Sequence, residues 1–306
     1  MLYLCSLNIY LMKRATTIEE QISIIKKRGV NLDYTEEKCK EILSDIGYFR
    51  FGYYCFPFEI DYPKKFNRTH QYKEGTNFSE IVALYYFNFN LSNILLRYIA
   101  RIEINIRTGI IYIVSNYYQA SPAWFADTKV MNKGYLNKLP EEYQKLKRRH
   151  HVLKNHHKKH QKDFYAPAWK TLEYFSFGAI QTLYKNLNSV DVKKEIAQRY
   201  NVRSTKVLEN YINIIVKLRN LCAHSNVLFD EHLPFAVING PALNVDVKNK
   251  HKLYSYLKVV EYMLNHISVN RCDDMIKEIQ DLIDAYKGFP VINSIIENNI
   301  KYNYSK

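Results

Sequence analysis

The chain has 306 residues and a formal net charge of +14, from 44 Lys and Arg against 30 Asp and Glu. This excess favours a polyanionic partner, either RNA, DNA or an anionic membrane surface, and charge alone does not choose among them. The low content of 9 Gly and 8 Pro favours long helices, and the five scattered cysteines, which lack CxxC spacing, indicate reduced cytosolic thiols rather than a disulfide framework or a zinc site.

The first twelve residues differ in character from those that follow. Residues 1–12 are mainly apolar, lack a basic region and a cleavage site, and are too short to span a bilayer, so we interpret them as a leader foreign to the rest or a misassigned start. Thr17 and Glu20 then form a capping-box pattern before an amphipathic helix, which Gly29 ends. A second helix is predicted over Asp33–Ile46.

An aromatic segment and a long apolar segment come next. We interpret Gly47–Phe58 as a buried turn that packs on the core, with base stacking on its rings as the alternative. Residues 59–76 are polar and are predicted to form a connector. Phe78–Gln119 has one glycine and no proline, which predicts one very long helix or two in series. Ser121–Phe125 is expected to break it.

Four charged residues stand in apolar surroundings and are candidates for a cleft. Arg101, Glu103 and Arg107 lie among isoleucines, a pattern typical of ion pairs within or between helices, although the same side chains could line one cleft with His224. Glu173 also lies in an apolar setting, which predicts either an ion pair or a catalytically tuned carboxylate.

The most basic segment is Lys145–Asp163, with eight Lys or Arg and five His before its first acid. Two interpretations remain open: a solvated basic excursion, or an arm that binds RNA phosphates and weakens steeply with salt. His156 and His160 could meet on a helix, but the run does not supply the other ligands of a metal site. The candidate RNA-binding residues are Lys145, Lys147, Arg148, Arg149, Lys154, Lys158, Lys159 and Lys162.

The remaining pattern is helical on both sides of an irregular stretch. Pro167 stands near the start of a helix that is predicted to continue past Gly178 to about Leu187. Further helices are predicted over Val190–Tyr200, Lys252–His266 and Asp273–Tyr286, with an irregular linker or short β-like turn at 235–250 and a tail at 291–306.

Ser204–His224 is predicted to be one long helix on which the rest is organised. Spacings of three and four residues give it both an apolar stripe and a polar stripe, and the polar stripe ends near Arg219. The apolar stripe is Val207, Tyr211, Ile214, Leu218 and Leu221, and the polar stripe is Asn213, Lys217, Asn220 and His224.

The end of this helix holds side chains suited to cutting RNA. A histidine can take the proton of a ribose 2′-OH, or protonate the leaving 5′-oxygen, near neutral pH. A forked, permanently charged arginine can stabilise the phosphoryl oxygens in the transition state. Arg219 and His224 supply these groups, and Asn220 could orient the ring or bind a phosphate. This chemistry needs no metal or other cofactor.

The spacing of Arg219 and His224 raises a geometric problem. Five residues correspond to about 140° around an ideal helix, so the two side chains would not share a face. Either the helix distorts near Cys222 and Ala223, or a dimer brings two motifs together. Arg149 and His156 have a similar spacing, so the pair by itself is weak evidence.

Several segments, in this order, resemble the Abi family of bacterial abortive-infection proteins, of the AbiD/AbiF type, whose core is a HEPN domain. Together they cover about residues 13–285. The segments are Thr17–Gly29, Gly47–Tyr54, Arg101–Arg107, Trp169–Gly178 and Leu218–His224, the last of which carries the Arg, Asn and His of the HEPN signature.

The resemblance implies an all-α, HEPN-like helical bundle with extra N- and C-terminal helices, formed by residues 13–290 as a single domain with a basic insertion at 145–163. It also implies a homodimer in the cytoplasm, with no membrane partner, that combines two motifs into a metal-independent endoribonuclease acting as an anti-phage toxin. Arg219, Asn220 and His224 would form the catalytic set. A structured non-coding RNA is the further expected partner, and a non-catalytic protein that holds such an RNA is the alternative function.

Overall fold

The computed structural model describes residues 14–229, 233–244 and 246–300, and the interpretations of residues 1–12 and of the last six residues fall outside these ranges. Within them the chain is α-helical, with no strand beyond isolated bridges, which confirms the all-α prediction. The helices are α1 Ile18–Lys27, α2 Glu36–Ile46, α3 Tyr48–Cys55, α4 Phe78–Tyr117, α5 Lys133–Leu136, α6 Leu139–Arg149, α7 His151–Lys159, α8 Ala168–Thr171, α9 Phe177–Lys185, α10 Val190–Gln198, α11 Thr205–Ala223, α12 Leu253–Ile267, α13 Val269–Ala285 and α14 Pro290–Ile295.

The described residues divide into two compact units. The first contains residues 14–89 and 286–293, and the second contains the described residues from 90 to 285 together with 294–300. The long helix α4 begins in the first unit and continues in the second. The assignment of residues 13–290 to a single domain stays a prediction.

The first unit begins with the predicted capping box. The Thr17 hydroxyl accepts from the Glu20 N–H at 3.2 Å, and the Glu20 carboxylate accepts from the Thr17 N–H at 2.9 Å. These two bonds satisfy N–H groups that a helix start leaves without partners. After α1 the chain turns at Gly29, where φ is +103°, a conformation that favours glycine.

The aromatic segment after Gly47 is helical, and its interpretation as a turn was wrong. Residues of α3 repeat at a helical spacing, so that Phe51 and Tyr54 point inward and are buried. Phe49 and Tyr53 lie on the opposite side and are exposed. The sequence obscured this pattern because aromatic residues occupy both faces of the helix.

The second unit contains most of α4, which is a single helix of 40 residues and not two in series. Its one glycine, Gly109, has a packing role. A Cβ atom there would lie 3.0 Å from Arg199 Nε and 3.3 Å from the Tyr200 hydroxyl, so glycine allows the end of α10 to approach the helix. The helix ends at Tyr117, before the predicted break at Ser121–Phe125, and Trp124 is fully buried.

One predicted helix is interrupted. We expected the segment after Pro167 to continue through Gly178, but α8 ends at Thr171 and a 3-10 turn, Leu172–Tyr174, follows it. A new helix, α9, starts after Ser176, whose side chain caps it by accepting from the Ala179 N–H at 3.2 Å. A serine cap of this kind competes well with continuation of the preceding helix.

Ten of the 19 residues of α11 are buried, and the helix packs against α9, α10 and α12. All five residues of its predicted apolar stripe are buried. The segment after it, predicted to be irregular, is also tied to this helix: Asn210 donates to Ala236 O and accepts from the Ile238 N–H, both at 2.9 Å.

Loss of a side chain from this helix should destabilise the protein. Ile214→Ala removes fully buried methyl groups from α11, and we expect it to lower the free energy of unfolding by about 2–5 kcal/mol. Lys206→Ala, at an exposed position of the same helix, should change it by less than about 0.5 kcal/mol. Urea unfolding followed by circular dichroism measures both, and equal midpoints would contradict the packing of α11.

Candidate functional site

The polar stripe of α11 lies on the one side of that helix that is not buried. Asn213 and Lys217 are half-buried, whereas Asn220 and His224 are exposed. At its start the stripe meets α9, because Asn213 accepts a hydrogen bond from the Gln181 side chain. The stripe therefore runs from a helix contact to open surface at the end of α11.

His224 ends this helix. Its N–H still donates to Asn220 O at 3.0 Å, so α11 is regular up to that point. The next residue, Ser225, has a φ of +51°, and the Asn226 N–H donates back to Leu221 O at 2.9 Å. This is the backbone arrangement of a Schellman motif, which satisfies the last carbonyl groups of the helix. The imidazole is thus carried at a hydrogen-bonded helix end and is exposed.

Arg219 is held by two neighbours. Its Nη1 donates to Asn220 Oδ1 at 3.2 Å, and its Nε lies 3.9 Å from Glu103 Oε2 on α4. No hydrogen bond or ion pair of the described residues joins Arg219 to His224. Since α11 keeps its hydrogen bonds through Ala223, the structure does not contain the helix distortion that would bring the two side chains onto one face.

Glu103 joins two arginines. Its Oε1 accepts from Arg107 Nη2 at 2.9 Å, and the same Nη2 donates to Phe175 O at 3.0 Å. The side chains of Glu103 and Arg107 are only 16% and 12% exposed, compared with 40% for Arg219. The structure therefore brings Glu103 and Arg107 together behind Arg219, and we call these three residues with Asn220 and His224 the Arg219 cluster.

The structure does not bring the other two cleft candidates to this cluster. Arg101 is exposed on α4, and its position two residues before Glu103 places it about 200° away around the helix. Glu173 is exposed in the 3-10 turn, contrary to the expected apolar setting, because its apolar neighbours Leu172 and Phe175 turn inward and leave it outside. Neither residue has an ion-pair partner among the described residues.

The basic segment forms the helical pair α6 and α7, which contact each other. Two of its side chains face inward: Leu153 is buried, and the buried His156 ring contacts Asp163 Oδ2 at 3.0 Å. Lys145 is paired with Glu141 and Glu142 at 2.9 and 3.0 Å. No carboxylate of the described residues pairs with the other seven RNA-binding candidates, Lys147, Arg148, Arg149, Lys154, Lys158, Lys159 and Lys162.

A groove that the sequence did not reveal lies beside these helices. Its volume is about 680 Å³. We call it the Tyr135 groove, and only Arg149 of its lining had been singled out. The lining residues are Gly134, Tyr135, Lys138, Leu139, Glu142, Leu146, Arg149, Tyr174, Phe175, Ser176, Ala179, Thr182 and Asn186.

The described residues contain neither a metal cluster nor a membrane-spanning helix. No group of three or more His, Cys, Asp or Glu side chains in the described ranges is arranged to hold a metal ion. None of the described helices has both the length and the apolar character needed to cross a bilayer. Four of the five cysteines, Cys39, Cys55, Cys222 and Cys272, are described, unpaired and buried. Burial raises the pKa of Cys222, the thiol in α11, to about 12.

Comparison with known proteins gives one match. The family model described as Abi-like protein matches residues 41–230, which is more than half of the chain and includes the whole Arg219 cluster. No curated protein and no solved structure matches.

Two glutamates offer a matched test of the cluster. Glu103→Gln removes the charge that two guanidinium groups share, and we expect the free energy of unfolding to fall by about 1–3 kcal/mol because Arg107 is left partly buried without its carboxylate. Glu173→Gln, at an exposed and unpaired position, should change it by less than about 0.5 kcal/mol. Urea unfolding of the two variants measures the difference, and equal stabilities would contradict the role of Glu103.

Proposed function

The chain belongs to the Abi-like protein family, and from this premise we propose that it is an abortive-infection effector that cuts RNA without a metal ion. One observation carries the proposal: α11 ends in an exposed histidine close in sequence to an arginine that a carboxylate and an asparagine hold in place. Such a pair matches the groups that transesterification of RNA requires.

The chemistry assigns one task to each group. An imidazole of His224 takes the proton from the ribose 2′-OH, and the 2′-oxygen attacks the neighbouring phosphorus. Arg219 stabilises the negative charge that grows on the phosphoryl oxygens. The bond to the 5′-oxygen then breaks, a protonated imidazole supplies the proton to the leaving oxygen, and the products are a 2′,3′-cyclic phosphate and a 5′-hydroxyl end.

Two copies of the chain supply the groups for each site. Within one copy, a regular helix places Arg219 and His224 on different sides, and a single imidazole cannot serve as base and acid at once. A twofold contact along the exposed stripe of α11 would place the arginine of one copy near the histidine of the other. A dimer therefore brings an arginine and a histidine together although they lie on different sides of each helix, and it also supplies two imidazoles.

A second candidate function rests on the basic helices. Seven cationic side chains of α6, α7 and the segment after them have no carboxylate partner among the described residues, so they can bind phosphates directly. A protein that holds a structured RNA through this surface, without cutting it, would use the same charge. Its RNA affinity would fall steeply with salt, because each phosphate contact releases counterions.

Cleavage by the purified protein in excess EDTA tests the first candidate. We expect RNA to be cut, and His224→Ala to lower the rate by about 10²–10⁴-fold because the proton-transfer group is lost. His266→Ala, which changes another exposed histidine, is the control and should keep the wild-type rate.

Two results would contradict this function. Loss of cleavage in EDTA would show that a metal ion is required. Phage protection that survives in both His224→Ala and Arg219→Ala, but is lost when the charges between Lys145 and Lys162 are reversed, would favour the protein that only holds RNA.

A mixed dimer tests the shared site. If the two copies pool both imidazoles in one site, a dimer of one wild-type copy and one His224→Ala copy retains a single His224 imidazole and should cut about as slowly as the dimer of two His224→Ala copies. Two differently tagged copies, co-expressed and purified in tandem, provide this dimer. Cleavage at about half the wild-type rate, which one intact site out of two independent sites would give, would contradict a site that pools both imidazoles.

A further inference from the structure

The Tyr135 groove takes no part in the proposed cleavage chemistry. Arg219, Asn220 and His224 are absent from its lining. Sites for small molecules in proteins commonly have volumes of about 300–1,000 Å³, so a groove of 680 Å³ has room for a mononucleotide. Its walls combine charged, aromatic and polar side chains rather than apolar ones alone.

Two cations give the groove its charge. Lys138 and Arg149 are exposed, and no carboxylate of the described residues pairs with either of them. Glu142, the acidic lining residue, lies 3.0 Å from Lys145 Nζ, which also contacts Glu141. A forked guanidinium with a nearby ammonium group suits a phosphate monoester.

One aromatic ring of the groove is fixed in place. Tyr174 stacks on His150 with ring centroids 4.0 Å apart and an interplanar angle of 21°. This contact occupies one face of the tyrosine ring and leaves a single face for a ligand. A ligand that stacks on a ring already fixed in place loses little conformational entropy of that side chain. Flat nucleobases stack on aromatic side chains regardless of sequence.

Two polar groups have unused hydrogen-bonding capacity. The Tyr135 hydroxyl is buried, with no hydrogen-bond partner among the described residues. Burial raises its pKa, so it remains a donor at neutral pH. Asn186 donates through Nδ2 to Thr182 O at 2.8 Å, while its Oδ1 accepts no hydrogen bond from the described residues. The Asn186 amide oxygen suits the exocyclic amino group of a base such as adenine, whereas the enclosed Tyr135 hydroxyl offers no accessible surface to a ligand.

We propose that the Tyr135 groove binds a nucleotide. Arg149 and Lys138 hold its phosphate, Tyr174 stacks on its base, and the Asn186 amide oxygen accepts a hydrogen bond from the edge of that base. The ligand is either a free mononucleotide or the phosphorylated end of an RNA, because both present the same phosphate and base. This site does not depend on the cleavage chemistry at Arg219 and His224.

Titration calorimetry with AMP tests the site, and it is carried out in the His224→Ala protein so that no probe is cut. We expect AMP to bind, and Arg149→Gln to weaken its affinity by about tenfold or more, since a charge-assisted hydrogen bond to the phosphate is lost. Arg203→Gln is the control, because Arg203 is an exposed arginine that lies outside both the groove and the basic helices. It should change the affinity by less than about twofold.

Several outcomes would overturn the proposal. Absence of AMP binding at about 1 mM would do so, and so would equal weakening by the two arginine variants, which would indicate diffuse surface charge. If adenosine binds as tightly as AMP, the phosphate does not contribute to binding, which would contradict the roles of Arg149 and Lys138. An unchanged AMP affinity in Asn186→Ala would show that the Asn186 side chain does not contact the base.

A comparison of two probes identifies the source of the nucleotide. A 5′-phosphorylated trinucleotide that binds more tightly than AMP, and is weakened by Arg149→Gln but not by Arg203→Gln, supports an RNA end as the ligand. AMP that binds at least as tightly as the trinucleotide, with the same dependence on Arg149, supports a free mononucleotide.

Discussion

The candidate site depends on the burial of α11. This helix of 19 residues is enclosed by apolar packing against α9, α10 and α12, and its polar stripe is the side that remains accessible. Because apolar contacts fix the rotation of the helix about its axis, they also fix the direction in which Asn220 and Arg219 project. The catalytic proposal therefore concerns side chains whose positions are set by the core and not by a loop.

The Glu103 carboxylate contacts two arginines, Arg107 and Arg219, which have different roles. Arg107, at 2.9 Å and mostly buried, forms a fixed contact, whereas Arg219 is more exposed and lies 3.9 Å away. Exposed ion pairs contribute only about 0–1 kcal/mol. A phosphate can therefore compete with Glu103 for Arg219, while Arg107 keeps the carboxylate in position. This arrangement orients Arg219 before RNA binds without holding it tightly.

The sequence predicts those elements whose burial follows a regular period. The stripe from Val207 to Leu221 predicted both the existence and the rotation of α11, because each residue's character reflects the side of the helix on which it lies. Glu173 was placed in an apolar setting because a continuous helix was assumed, and the 3-10 turn changes its direction. The Tyr135 groove could not be predicted, since Tyr135, Arg149 and Asn186 meet only after three helices have packed. In the sequence, Glu103 is one of four charged candidates for a cleft that look alike. Only the structure shows that it lies beside Arg219.

The chemistry of the cut RNA ends tests the central claim most directly. Ends produced by the wild-type protein are mapped with ligases that distinguish a 2′,3′-cyclic phosphate from a 3′-hydroxyl, with the His224→Ala protein treated in parallel. The account predicts 2′,3′-cyclic phosphate and 5′-hydroxyl ends that are absent with the variant, because the neighbouring 2′-oxygen is the nucleophile. Ends with 3′-hydroxyl and 5′-phosphate groups would contradict it, since they require water to attack the phosphorus instead.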